Sequence, residues 1–129
     1  MAQTPCVYRQ DGVTVDYNPG SAVIAGTVYL LGGMVTIVPK DIAADELGAT
    51  AIRGVFNVPK DASNVTGAGQ KLYWDVNGDP YGGTAGSGCF TLTQQGIDGT
   101  ANKPAGLSLE SAGTTTGDID MLLMPIYGT

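Results

Sequence analysis

"TVYLLGGMVTIV", residues 27–38, reads as two short apolar strands joined by Gly32-Gly33. A two-residue glycine loop is a hairpin signal, because both positions accept the positive φ that matches the twist of paired strands. With the turn placed there, Leu31 stands opposite Met34 and Leu30 opposite Val35. Side chains alternate with period two, so Val28, Leu30, Val35 and Ile37 share one face, which is expected to be core. The other face carries Thr27, Tyr29 and Thr36 together with Leu31, Met34 and Val38. That mixture is too apolar for a fully solvated surface and suits an interface in part.

The same pattern extends along the chain. Twenty glycines in 129 residues punctuate short β-branched runs, the texture of an all-β sandwich or barrel. Further strands are predicted over residues 12–17, 48–58, 71–76, 89–93, 106–110 and 119–126. "NPG" at residues 18–20 predicts a type II turn, with Pro19 setting φ and Gly20 supplying the left-handed conformation. Only "DIAADELG", residues 41–48, offers a helix, capped by Asp41 and closed by Gly48. No fixed-period repeat is present, which sets solenoids and propellers aside. The fold expected is a single small, compact, antiparallel β-barrel or sandwich-like domain over residues 12–129, with at most one short helix and an N-terminal segment, residues 1–11, ahead of it. A chain of this length buries roughly two thirds of its unfolded surface, enough for a core without metal or disulfide staples.

Charge and composition narrow the partners. Six Lys and Arg against twelve Asp and Glu leave a net charge of -6, which repels phosphate backbones and anionic lipid, so neither nucleic acid nor membrane is expected as a partner. The longest apolar stretch falls short of the roughly 20 residues that span a bilayer. The opening "MAQTPCVYRQDG" shows no basic segment followed by an apolar run, so no secretory signal is expected and synthesis in a cytoplasm follows. Cys6 and Cys89 lack CxxC spacing and read as small hydrophobes, with their pairing left open.

"KLYWDVNGDPYG", residues 71–82, places Asp75, Asn77 and Asp79 at the alternate positions that begin many calcium loops. Such a loop needs Gly at its sixth position and a carboxylate at its twelfth, and counting from Asp75 these hold Pro80 and Gly86. No metal site is expected. Asn77-Gly78 instead predicts a type I′ hairpin pairing Val76 with Asp79 and Trp74 with Tyr81. The chain has no His and therefore lacks the usual general base, zinc ligand and triad member. "GGTAGSG", residues 82–88, is not followed by the Lys-Ser or Lys-Thr of a phosphate loop. Asp118 and Asp120 share a strand face that alternates with Ile119, Met121 and Leu123, the mark of a solvated sheet surface. No catalytic residues, no metal ligands and no cofactors are assigned.

"VTVDYNPGSAVIAGTVYLLGGMVTI", "DIAADELGATAIRGVFNVPKD", "GAGQKLYWD" and "PAGLSLESAGTTTGDIDMLLMP" occur in an order that resembles the capsid cement, or head decoration, family of tailed bacteriophages. "GVFNVPK", residues 54–60, and "KLYWD", residues 71–75, are its most specific pieces. The resemblance implies a non-enzymatic virion protein, made in the host cytoplasm, that docks on the outside of an expanded capsid. There it contacts the major capsid protein and itself, as homotrimers at threefold or quasi-threefold positions, and stabilises the shell. Within that scheme Leu31, Met34 and Val38 are the candidates for the trimer interface. The N-terminal arm, with Pro5, Cys6, Val7 and Tyr8, is the candidate capsid-binding element. Asp11-Gly12 is also a good hairpin turn, and residues 7–10 pairing with 13–16 inside the domain is the alternative. Two other functions compete: a fibre or adhesin domain without a cementing role, and a ligand-binding module using Trp74, Tyr81 and the loop over residues 82–88.

Overall fold

The structure, a computed structural model, describes Gln3, Cys6 and residues 12–61, 66–94, 101–114 and 117–125. Within these residues the chain is all β. Its strands are β1 (Thr14–Tyr17), β2 (Val28–Leu31), β3 (Met34–Ile37), β4 (Gly48–Ala51), β5 (Gly54–Pro59), β6 (Lys71–Asp75), β7 (Cys89–Thr91), β8 (Lys103–Ser108) and β9 (Asp118–Leu123). They form a four-stranded sheet, β1-β4-β3-β2, and a five-stranded sheet, β5-β9-β8-β6-β7. Every ladder is antiparallel. The two sheets pack together as a sandwich. The larger one curls until its outer strands touch at a single parallel bridge, Lys60 to Phe90, without closing a barrel.

The β2–β3 hairpin has the expected register, with Leu31 opposite Met34, Leu30 opposite Val35 and Val28 opposite Ile37. Val35 and Ile37 enter the shared core with Val58, Leu72, Phe90, Ala105, Ile119, Met121 and Leu123, and Val28 packs against them half-buried. Leu30, expected on the same core face, is instead exposed at 37% and lies outside that cluster, because β2 is an outer strand. The second face is less open than its composition suggests. Thr36 and Thr50 are buried there; Thr50 donates to Thr36 Oγ1 at 2.7 Å, and Thr36 donates to the Tyr29 carbonyl at 2.6 Å. Tyr17 stacks on Tyr29 at 4.0 Å. Hydroxyls that satisfy one another can be buried at little cost.

Four local expectations are corrected. The run over residues 48–58 is two strands in different sheets, divided at Ile52-Arg53. Gly54 has φ 142, a region open to glycine alone, and this lets the chain turn the corner between sheets. "DIAADELG" is not a helix. Ile42 pairs with Val23 through two 2.9 Å backbone bonds, and Asp41 accepts the Ala25 N–H at 2.8 Å. Eight residues cannot hold an isolated helix against such tertiary partners. Gly48 is no helix cap either: it sits in β4, where a Cβ would lie 2.5 Å from Ile42 Cδ1. Gly20 does not adopt the left-handed conformation, and Pro19 is held instead by the Asp45 N–H on its carbonyl at 2.9 Å.

The fourth correction concerns Asn77-Gly78. Neither residue has a positive φ, and the turn falls one step earlier, with the Gly78 N–H on the Asp75 carbonyl at 3.1 Å. The Asp75 carboxylate accepts the Asn77 N–H at 3.1 Å; this Asx turn outcompetes the type I′ alternative. Trp74 pairs with Phe90 and Lys103 rather than Tyr81. Gly78 still matters, for a steric reason: a Cβ there would overlap Cys89 Sγ and stand 3.2 Å from the Asp75 carbonyl oxygen. Gly78→Val is therefore expected to cost about 2 kcal/mol. Urea unfolding checks this, and wild-type stability would remove the steric account.

Candidate docking surface

The acidic groups that suggested chemistry are used locally. Asp75 serves its own turn, Asp79 accepts the Gly86 N–H at 2.7 Å, and Asp120 accepts from Asn57 Nδ2 at 3.1 Å. Asp118 and Asp120 are exposed on β9 while Ile119, Met121 and Leu123 are fully buried, so that alternation is as read. Among the described residues no three His, Cys, Asp or Glu side chains gather as metal ligands.

The surface features lie instead along β2, an outer strand of the four-stranded sheet. The Val38 N–H donates to the Thr27 carbonyl at 2.9 Å, so Thr27 and Val38 are a hydrogen-bonded pair. Antiparallel ladders alternate. Tyr29 and Leu31 are thus turned toward β3, and Val28 and Leu30 turn their backbone N–H and C=O groups to the open edge. A depression lies beside each. A cleft of about 340 Å³ is lined by Val28, Ile37, Phe56, Trp74, Phe90 and Ser87, among others. A smaller one of about 120 Å³ lies between Leu30, Trp74, Val76 and Lys103. Trp74 borders both and meets Phe90 at 5.0 Å between ring centroids.

Of the expected interface residues, Leu31 is 43% exposed at the hairpin tip and Met34 beside it is half-buried, whereas Val38 is fully buried within the chain itself. Val38 has no surface to offer a partner, because this residue, one past the end of β3, is covered by its own protein. Cys6 is exposed, while Pro5, Val7 and Tyr8 and the rest of the proposed arm lie outside the described residues. Of the ligand pocket expected from Trp74, Tyr81 and the loop over residues 82–88, Trp74 and Ser87 line the larger cleft and Tyr81 does not. Phe56 and Phe90 were not singled out in the sequence. Phe56 had a signal in its alternation with Val58 on β5, whereas β7 is three buried residues with no alternation to read, and what faces both rings depends on the other sheet.

Two buried groups titrate abnormally. Burial lowers the Lys60 pKa against the opposing pull of Asp61, and its Nζ donates to the Asp61 carbonyl at 2.6 Å. Burial pushes the Cys89 thiol up to about 12, assisted by Asp61, Asp75 and Asp79. A thiol whose pKa is higher folded than unfolded stabilises fully below the unfolded value near 9 and loses that contribution as pH rises toward 12. Thermal midpoints are expected to fall over this window, and less steeply in Cys89→Ala. Equal slopes for the two proteins would contradict this.

The protein is thus an all-β sandwich with an apolar cleft beside a sheet edge that no other described strand covers. The sequence model of the phage cement protein family matches residues 8–123 of the chain. The chain belongs to that family, a structural class of the phage capsid. No curated protein and no solved structure shows significant similarity.

Proposed function

We propose that the protein binds the outer surface of the expanded capsid as a homotrimer at threefold or quasi-threefold positions, contacts the major capsid protein there, and stabilises the shell without catalysing a reaction. The family match over residues 8–123 carries this reading. The lack of His agrees with a non-catalytic role, and free Cys6 and Cys89 fit synthesis in a reducing host cytoplasm. Stabilisation follows from mass action. A ligand that binds only the expanded shell raises the free energy of its rupture by the binding energy summed over many sites. Three copies held together at one site dissociate slowly even when each contact is modest.

Leu31 and Met34 are the proposed trimer contacts, and the arm over residues 1–11, including Pro5, Cys6, Val7 and Tyr8, is the proposed capsid-binding element. The test is to mix the protein with expanded and unexpanded shells and sediment both. Association with expanded shells alone is expected, and equal association with both, or none, would refute the proposal. Deleting residues 1–10 is expected to abolish decoration with little change in melting temperature. A lowered melting temperature would make the segment a strand of the domain instead, and wild-type decoration would place docking elsewhere. Leu31→Asp is expected to dissociate trimers while leaving the fold, since a charge is costly only where it is buried.

A further inference from the structure

We infer that the open edge of β2 receives an extended segment of the capsid shell subunit, with one of its apolar side chains seated in the cleft between Val28, Phe56, Trp74 and Phe90. The inference rests on the capsid-binding reading and adds a second contact, distinct from the N-terminal arm.

Sheet edges in stable proteins are blunted by charge, proline, brevity or cover, because free backbone groups recruit other strands. Three of the four edges here are treated in that way. β1 carries the exposed Asp16. β5 begins with Gly54 and ends with Pro59. β7 is three residues long, and its Phe90 carbonyl accepts the Asp61 N–H at 3.0 Å. β2, "VYLL", has no charge, no proline and no second strand beside it among the described residues. Its free backbone groups belong to Val28 and Leu30, one strand period of roughly 7 Å apart, and each of these residues lines one of the two depressions. Backbone pairing along an edge with alternate side chains entering pockets is how extended segments are recognised.

The chemistry of the occupant follows from the lining. No charged side chain borders the larger cleft, and Val28, Ile37, Phe56, Trp74 and Phe90 make most of its wall, so an aliphatic or aromatic group fits and a charged one does not. Phe56 to Pro59 come from "GVFNVPK" and Trp74 from "KLYWD", so the two stretches most specific to the family resemblance converge on this one cleft. The shell subunit rather than a second copy is the occupant, because capsid binding is what the family match supports.

Amide exchange on shell-bound protein tests this, read on the peptide covering residues 27–33. Binding is expected to slow exchange at Val28 and Leu30 by at least about tenfold, as new backbone bonds require. Leu30→Pro removes an N–H that the β2–β3 ladder does not use, at an edge position where proline is tolerated. Ser87→Trp fills the cleft from an exposed loop. Each is expected to weaken decoration about tenfold, the equivalent of one lost backbone bond or one excluded side chain, with the melting temperature held within a few degrees. Decoration of expanded shells at the wild-type level by both variants would overturn the inference. So would Leu30→Pro changing self-association but not shell binding, which would make the occupant a second copy. Shell binding without protection at Val28 and Leu30 would sink the edge contact alone, whereas no shell binding by the wild type would sink the capsid reading itself.

Discussion

Gly106→Val is expected to lower the melting temperature by roughly 10 °C or more, or to prevent accumulation of folded protein, the equivalent of about 3 kcal/mol. Gly106 is central in the five-stranded sheet, opposite Leu72 on β6 and Leu123 on β9. A Cβ there would overlap the Leu122 carbonyl oxygen and stand 2.9 Å from its carbonyl carbon and 3.2 Å from Leu123 Cα. All three atoms are backbone, so no side chain can rotate away and β8 itself would have to leave β9. The pairing with β6 is already irregular at this point, with the register shifting between Leu72 and Tyr73, so little slack remains. Gly113→Ala is the control, since a Cβ at Gly113 meets nothing within 4 Å. Thermal unfolding of the two variants beside the wild type is the measurement. A midpoint for Gly106→Val within 2 °C of the wild type, a small fraction of that shift, would show that the strands separate more easily than the geometry implies.

Phe90→Ala is expected to cost about 3–5 kcal/mol, a large share of the roughly 5–15 kcal/mol that holds a domain of this kind together. Phe90 is 1% exposed, on a three-residue strand, and packs in the main core and on Trp74. Truncation loses the transfer energy of the ring and leaves a cavity continuous with the cleft that Phe90 lines. It also loosens the point where β7 meets Lys60 and Asp61 across the curled sheet. Leu47→Ala, by contrast, removes a side chain that is 70% exposed and is expected to change stability by less than about 0.5 kcal/mol. Urea midpoints at unchanged m-value decide the comparison, and similar losses for the two would mean that the core does not concentrate at Phe90.

Much of the fold was legible because its signals are local. The hairpin register at Gly32-Gly33 follows from a two-residue loop between alternating runs, and β9 from Ile119, Met121 and Leu123 alternating with Asp118 and Asp120. Where two local solutions were close in energy, a neighbour chose between them. Asn77-Gly78 suits a type I′ turn in isolation, but the Trp74–Phe90 pairing and the Asp75 carboxylate moved the turn one residue back. "DIAADELG" carries adequate helix signals for a free peptide, yet Ile42 gained more by pairing with Val23 and covering Gly48.

The sequence by itself therefore determined the all-β class, the hairpin at one edge of the four-stranded sheet and the family, each of which rests on residue type and short spacing. Long-range packing set the rest. It divided residues 48–58 between two sheets at Gly54, drew Val38 into its own chain, and brought Val28, Phe56, Trp74 and Phe90 around one cleft beside an open edge. Whether an apolar residue faces the core, a cleft or a partner depends on which strand lies across from it, and strand pairing between residues far apart in the chain leaves no periodic mark on either segment alone.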